Sequence, residues 1–288
     1  MNQDVFDERG PTPTGIRGRR ELTCDDSVTG TGRSDKSMGA VSGRLVVVML
    51  VVGCGRIASA QTADDIIEKN LTAVGGRVAL AKLTSRSTVG TMTLSTPAGE
   101  VSGSIEVLNQ QPNKSRTLIK MDLSSLGAGP MTVDQRFDGT SGYVLDSLRG
   151  NRDITGNQLE NMKNIVFPTP FLRYKERGAT VELAGKEKVE GRDAYVLVFK
   201  PRSGSVARQF IDAETYLLAR LVTTIEVPEF GAVEQTSDFS DFRDVDGVKI
   251  PFTVKVSSPI QRFTISVTKV EHNAGIDDAL FSKPAVDK

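Results

Sequence analysis

The sequence predicts a mainly β (α+β) fold built on an antiparallel sheet. Apolar and polar residues alternate strictly along several segments, among them 101–107, 119–123, 252–256 and 263–268. A period of two is typical of strands with one buried and one solvent-exposed face, which antiparallel sheets commonly have. Turn signals separate these segments, and the Asp246-Gly247 pair indicates a hairpin with a type I′ turn. Short connections of this kind favour pairing between strands that are neighbours in the chain.

Helical periodicity is found in two parts of the sequence. Near the N-terminus, Thr62 is a suitable N-cap, Asp65 completes a capping box, and Gly75-Gly76 allows the positive φ angles that end a helix. A second short helical segment is expected at 77–83. In the middle of the chain, 157–166 (NQLENMKNIV) has helical spacing and is followed by prolines. A helix inserted there must bury its apolar stripe against the sheet, as a plug or a lid.

The most apolar run, 45–55 (LVVVMLVVGCG), has the features of a secretory signal. Arg44 precedes it, and the run is too short to span a bilayer as a stable helix. Ala58-Ser59-Ala60 then offers small residues at the positions that a signal peptidase needs. The sequence therefore predicts a signal peptide at 38–60, with cleavage between Ala60 and Gln61.

This interpretation divides the chain into three parts. Residues 1–37 are interpreted as a disordered leader or an over-extended start, and 38–60 as the signal peptide. Residues 61–288 are expected to form a single domain, because they are long enough for a sizeable core of their own. The mature chain is expected in the periplasm, without a transmembrane span.

The apolar run also fits two other patterns. Val51-Val52-Gly53-Cys54 resembles a bacterial lipobox, which would attach a lipid anchor to Cys54. Gly53, Gly55 and Ala58 fit the G-x-G-x-x-A fingerprint of dinucleotide-binding folds, which requires a second strand ending in an acidic residue about twenty positions later. Gly75-Gly76 occupies that region instead. The nucleotide interpretation is therefore disfavoured, whereas lipidation of Cys54 stays an alternative.

The composition excludes several classes of function. The chain has 36 basic and 36 acidic residues without a basic patch, so nucleic acid is not an expected partner. Cys24 and Cys54 both precede the predicted cleavage site, and the mature sequence contains none of the common nucleotide, zinc-protease or serine-hydrolase motifs. We expect no cofactor, no metal site and no enzymatic activity. His272, the single histidine, is expected to be a solvated residue at a strand end.

Five segments follow one another in a fairly specific order: 62–83 (TADDIIEKNLTAVGGRVALAKL), 137–143 (FDGTSGY), 210–220 (FIDAETYLLAR), 239–252 (FSDFRDVDGVKIPF) and 276–281 (IDDALF). In this order they resemble bacterial outer-membrane lipoprotein-sorting-type proteins, relatives of the periplasmic lipoprotein carriers in the LolA/LolB-like superfamily. The resemblance implies an open, strongly curved antiparallel sheet, an unclosed barrel, with a helical lid over an apolar cavity. It also implies non-enzymatic binding of lipid or lipoprotein acyl chains. Tyr143 stands where the family usually has tryptophan.

Alternation and the inserted helix together predict the residues that face the cavity. They are Met92, Leu94, Ile105, Val107, Ile119, Met121, Leu159 and Met162. A slip of one residue would turn every strand residue of this set to the other face, and the same residues would otherwise form an ordinary packed core. The alternative function is an envelope interaction or sensor module, which would use the same fold as a scaffold for a protein partner.

Overall fold

The structure, a computed structural model, describes residues 61–227 and 230–284. The predicted leader at 1–37, the signal peptide at 38–60 and its residues Cys54 and Ala60 lie outside the described residues, and Gln61 is the first residue described. Cleavage, lipidation and the division of the chain into parts therefore stay predictions. Within the described part, no helix has the length and the apolar character needed to cross a membrane.

Within residues 61–227 and 230–284, thirteen strands form one antiparallel sheet. The strands are β1 (Ser85–Thr96), β2 (Gly99–Gln110), β3 (Lys114–Asp122), β4 (Pro130–Phe137), β5 (Gly142–Asp146), β6 (Arg152–Ile154), β7 (Thr180–Val189), β8 (Arg192–Lys200), β9 (Ala207–Asp212), β10 (Leu218–Val227), β11 (Gly231–Val245), β12 (Val248–Ser257) and β13 (Arg262–His272). Their order across the sheet is β6-β5-β4-β3-β2-β1-β13-β12-β11-β10-β9-β8-β7. The edge strands β6 and β7 lie at opposite ends, so the sheet is open, as predicted.

The sheet curves around the first helix, α1 (Ala63–Val74). This helix contacts both β7 and β12, although four strands separate these two in the sheet. The contacts require a strongly curved sheet with α1 inside the curve. Ile66, Ile67 and Leu71 of α1 are buried there and belong to the largest apolar cluster, which also contains residues of β8, β9 and β12. A short second helix, α2 (Arg77–Ala81), follows.

The capping signals at the ends of α1 are confirmed. The backbone N–H of Asp65 donates to Thr62 Oγ1 at 3.2 Å, and the Thr62 N–H donates to Asp65 Oδ2 at 2.9 Å. At the other end, Gly75 has a φ of 143°. A Cβ at this position would overlap the backbone of Gly247 and lie 3.2 Å from the Cα of Val248. Gly75 thus ends the helix and also lets α1 approach the turn between β11 and β12.

The inserted helix α3 (Gly156–Lys163) is shorter than the predicted 157–166. Asn164 is its C-cap. The N–H groups of Asn164 and Ile165 donate to carbonyls three residues back, those of Asn161 and Met162, so the last turn tightens and the α-helix ends there. Ile165 consequently leaves the helical stripe and is 47% exposed.

The predicted Asp246-Gly247 hairpin is confirmed. The two residues have φ angles of 54° and 78°, and Val245 and Val248 pair on either side of them. Two consecutive positive φ angles define the type I′ turn, whose twist matches that of the strands it joins. This turn places Asp246 beside His272, the last residue of β13.

Candidate ligand-binding site

One face of the sheet is continuous across five strands. In the register, Leu221 pairs with Ser237, Ser237 with Val256, Val256 with Phe263, and Phe263 with Leu94. Residues that oppose each other directly on antiparallel strands project to the same face. These five residues therefore share one face, which we call the inner face because the helices pack on it.

Six of the eight predicted cavity residues lie together on the inner face. They are Met92, Leu94, Ile105, Val107, Ile119 and Met121, and they form one apolar cluster with Val101, Leu123, Met131, Phe263 and Ile265. We call this cluster the apolar floor. Some of its side chains, such as Leu94 and Phe263, are only half-buried. Among the described residues, no helical residue belongs to this cluster.

The other two predicted residues, Leu159 and Met162 of α3, lie in a separate cluster. Met162 is buried against Phe137, Val144 and Ile154, and Leu159 packs at the edge of this group. The structure therefore does not bring the helix residues into the same cluster as the six strand residues. Val133 connects the two clusters, because it packs in the α3 cluster and pairs with Ile119 of the floor.

An apolar groove of about 380 Å³ lies between the segment after α3 and strands β8 to β10. We call it the α3 groove. Its walls include Ile165 and Val166 on one side and Leu221 and Ile225 on the other. The helical interpretation of 157–166 assigned Ile165 and Val166 to a stripe packed on the sheet, and so it missed their place in this groove.

A second groove, of about 280 Å³, continues toward α1. It shares Pro170, Gln209 and Leu221 with the α3 groove. Its other walls include Phe239 and Phe242 of β11. Because Leu221 lies in the same cross-strand row as Leu94 and Phe263, both grooves open onto the face that carries the apolar floor.

Asparagines attach α3 to the loop between β8 and β9. Asn161 Oδ1 accepts a hydrogen bond from the backbone N–H of Ser205 at 2.6 Å, and its Nδ2 donates to Ser205 Oγ at 3.1 Å. Asn164 Nδ2 donates to the carbonyl of Ser203 at 2.7 Å. These hydrogen bonds between uncharged groups, and not apolar packing alone, thus hold α3 to the β8–β9 loop at the rim of the α3 groove.

A row of polar residues that contains Arg86 borders the apolar floor. In the sheet, Arg86 of β1 lies opposite His272 of β13 on one side and opposite Asn109 of β2 on the other. Two residues further along β1, Thr88 lies opposite Val107 of the floor. Arg86 as a whole is half-buried, but its Nε has no solvent contact and no hydrogen-bond partner within the described part of the chain. The guanidinium lies 5.4 Å from the centroid of the Phe167 ring. Burial lowers the pKa of Arg86 to about 10.

The expectation that His272 is solvated is wrong. Its side chain is 2% exposed, with Nδ1 3.2 Å from Asp246 Oδ2. Its Nε2 is buried and has no hydrogen-bond partner among the residues described. Burial lowers the pKa of His272, the hydrogen bond that the imidazole donates to Asp246 opposes this effect, and the charge of Arg86 adds to it. The sequence did not show that α2 and the β11–β12 turn come together beside this histidine, where they form a cleft of about 630 Å³.

No protein-family model matches the sequence, and no curated protein matches it. Solved structures that are similar include a DUF1329 family protein from Desulfovibrio piger, with 16% identity over 76% of this chain and 96% of that chain at a TM-score of 0.49. A LolA superfamily protein from Nitrosomonas europaea has 14% identity over 78% of this chain and 99% of that chain, also at a TM-score of 0.49. The lipoprotein LppX from Mycobacterium tuberculosis has 12% identity over 75% of this chain and 99% of that chain, at a TM-score of 0.26.

What the coordinates establish for this chain is an open, curved antiparallel sheet with helices on its inner face.

Proposed function

We propose that this protein binds an acyl chain of a lipid or lipoprotein, without catalysis, on the inner face of its sheet. The observation that carries the proposal is the continuity of that face. A single row of paired residues leads from Leu221, which lines both grooves, to Leu94 and Phe263 of the apolar floor. The α3 groove, at about 380 Å³, is large enough for a ligand, since small-molecule pockets usually hold about 300 to 1,000 Å³.

The exposed fraction of the floor supports the same proposal. Leu94, Val107, Ile119, Phe263 and Ile265 are half-buried apolar side chains that pack at the edge of the cluster. An acyl chain lying on them would remove both its own surface and theirs from water. Such burial contributes about 0.8 kcal/mol for each methylene group. One wall of this site is proposed to be the two grooves, and the other the six strand residues of the floor, Met92, Leu94, Ile105, Val107, Ile119 and Met121.

The cellular setting belongs to the same proposal. Export by the predicted signal peptide at 38–60 would deliver the protein to the periplasm, whereas lipidation of Cys54 would attach it to a membrane. Acyl-chain binding in the periplasm suits the sorting of outer-membrane lipoproteins, which is the role that the sequence resemblance implies.

Mass spectrometry of an organic extract tests the proposal directly. The mature protein, purified from its host without detergent, is expected to release a lipid in a fixed ratio to protein. After delipidation it is expected to bind a dansyl-labelled fatty acid. An absence of both lipid and probe binding would contradict the proposal and favour the envelope interaction module.

A groove-filling variant locates the site. Ala207 of β9 lines the α3 groove, whereas Ala232 lies on β11, two strands away in the sheet, and is exposed. Ala207→Trp is expected to weaken probe binding by about tenfold or more, since it occupies space that the ligand needs. Ala232→Trp, which adds the same side chain outside the groove, is expected to leave binding unchanged. Equal binding by both variants would place the ligand elsewhere.

A further inference from the structure

Arg86 has an unusual environment for a charged side chain. Its Nε is shielded from solvent and has no acceptor within the described residues. The Phe167 ring, 5.4 Å away, attracts the charge but offers no hydrogen-bond acceptor. Buried guanidinium groups are normally paired with a carboxylate or another acceptor, because an unpaired donor loses its hydration without compensation. Arg86 is therefore short of one anionic partner.

Two other arginines of the sheet, Arg116 and Arg243, show the usual arrangement. Arg116 donates to Asp134 through Nε and Nη2, both at 2.8 Å. Arg243 resembles Arg86 more closely, because its guanidinium also lies over a phenylalanine ring, that of Phe252, at 4.3 Å. Arg243 is nevertheless paired with Asp241, from Nε to Oδ1 at 3.1 Å. Arg86 differs from both in that no carboxylate of the described part of the chain pairs with it.

The position of Arg86 connects it to the proposed ligand site. It lies on the inner face, beyond the row of Thr88 and Val107, at the opposite end of β1 from Leu94. At ~3.3 Å per residue, Arg86 and Leu94 are ~26 Å apart along the strand. Phe167 connects the same arginine to the grooves, because the next residue, Pro168, lines the second groove. A ligand with one anionic end and one apolar chain would match this arrangement.

We propose that Arg86 binds the carboxylate of a fatty acid whose chain lies along the apolar floor. This inference rests on the proposed acyl-chain function and narrows it from acyl chains in general to ligands with a free carboxylate. A carboxylate suits the site because it accepts from the guanidinium fork and carries one charge, which a single arginine neutralises. His272 lies directly opposite in the register, and its unpartnered Nε2 would be a second donor when the imidazole is protonated.

Three probes separate the contributions of head group and chain. Laurate has the carboxylate and a chain, 1-dodecanol has the same chain with an uncharged head, and acetate has the carboxylate without the chain. Calorimetric titration of the delipidated protein is expected to show laurate binding about tenfold or more tightly than 1-dodecanol, the usual scale for a hydrogen bond to a charged group. Acetate is expected to show no measurable binding.

Two substitutions of Arg86 test the residue itself. Arg86→Met removes the charge but keeps an unbranched apolar side chain, and it is expected to lower laurate affinity to that of 1-dodecanol without changing 1-dodecanol binding. Arg86→Lys keeps the charge but loses the fork, and it is expected to be intermediate. Arg243→Met is the matched control, since it removes an arginine that lies over a phenylalanine ring but already has a carboxylate, and it is expected to change neither affinity. Thermal unfolding checks that each variant is folded.

The outcomes distinguish this inference from the proposed function. If laurate and 1-dodecanol bind equally well, or if Arg86→Met binds laurate as the unmodified protein does, the carboxylate site is wrong and acyl-chain binding stands. If neither amphiphile binds the unmodified protein, the proposed function fails and this inference fails with it. Acetate binding as tight as laurate binding would also overturn the inference, because the site would then accept a free anion.

Discussion

Gly204 and Asn161 approach so closely that a Cβ on the glycine would lie 2.7 Å from Asn161 Oδ1. The same Cβ would lie 2.9 Å from Asn164 Nδ2. These two side-chain atoms are the ones that hydrogen-bond the loop between β8 and β9. Gly204 also has a φ of 89°, in the region that favours glycine. The loop can therefore reach the asparagines of α3 only because residue 204 has no side chain.

Gly204→Ala is expected to detach α3 from the loop. The methyl group must displace both asparagine side chains, so that their hydrogen bonds are lost, and the positive φ adds backbone strain. We expect a loss of about 3 kcal/mol in the free energy of unfolding. Urea denaturation measures this loss, and hydrogen exchange of the α3 amides locates it. Gly150→Ala is the control, because Gly150 has a similar φ of 82° but nothing within 4 Å of the added Cβ. An equal loss in both variants would mean that the contact with Asn161 contributes nothing.

Gly75 and Gly76 form a second matched pair. A Cβ on Gly75 would meet the backbone of the turn between β11 and β12, whereas a Cβ on Gly76 would have nothing within 4 Å. Backbone cannot move aside as a flexible side chain can. Gly75→Ala is therefore expected to lower the free energy of unfolding by about 3 kcal/mol and Gly76→Ala by about 1 kcal/mol. Urea midpoints measure both values, and the reverse order would contradict the docking of α1 on this turn.

Asp134 is expected to determine part of the acid sensitivity of the fold. Burial raises the pKa of its carboxyl, but hydrogen bonds from Arg116 and Arg136 outweigh burial, and the pKa is lowered from its ordinary value of 3.8. A lowered pKa means that the unfolded chain binds the proton more tightly than the folded chain does. The stability contributed by this group is therefore present above about pH 4 and is lost as the pH falls through the folded pKa.

The variant Asp134→Asn tests this arrangement. It leaves Arg116 and Arg136 without their carboxylate, and we expect it to cost about 3 kcal/mol at pH 7 and to flatten the loss of stability in acid. Denaturant titrations at a series of pH values measure both effects. Asp193→Asn removes an exposed carboxylate that pairs with Lys188, and it is expected to have little effect. A pH profile of Asp134→Asn that follows the unmodified protein would show that Asp134 does not contribute.

His272 is expected to cause a second loss of stability, near neutral pH. Its pKa is lowered from the ordinary value of 6.5, chiefly by burial. Protonation therefore favours the unfolded chain, and the free energy of unfolding should fall as the pH decreases below about 6.5. Thermal unfolding between pH 8 and 5 measures the fall, which should be absent in His272→Gln. Because the chain has one histidine, a fall that persists in this variant would rule out His272 as its cause.

Arg86 and His272 should also be coupled. The charge of Arg86 lowers the pKa of His272, so Arg86→Met is expected to raise this pKa. The imidazole signals in an NMR titration report the pKa directly. Arg243→Met, in which the lost charge is already paired with Asp241, is expected to leave the value unchanged. An unaltered pKa in Arg86→Met would mean that the two side chains do not interact.

Much of the fold followed from local patterns. Thr62, Asp65 and Gly75 marked the ends of the first helix because capping depends on residues a few positions apart. Asp246-Gly247 marked its hairpin because a type I′ turn needs two positive φ angles. Alternation grouped Met92, Ile105 and Met121 on one face because side chains in a strand alternate whatever the strand packs against.

The candidate site was less accessible from the sequence. Leu159 and Met162 were grouped with the strand residues, but α3 packs them against Phe137 instead. Ile165 and Val166 were assigned to the helix, and they line the α3 groove. These outcomes depend on where the helix ends and on which strands the curved sheet brings opposite it, and neither follows from spacing along the chain.

The sequence by itself determined the antiparallel pattern, the helix caps, the hairpin and the apolar side of the strands that alternate strictly, because each of these depends on neighbouring residues. Only the tertiary structure decided that α3 packs Leu159 and Met162 against Phe137, and that Arg86 and His272 come to lie side by side at the border of the apolar floor. Arg86 and His272 are 186 positions apart, at opposite ends of the described chain. The burial of both side chains arises from long-range packing, and a charge loses its hydration only when distant segments close over it.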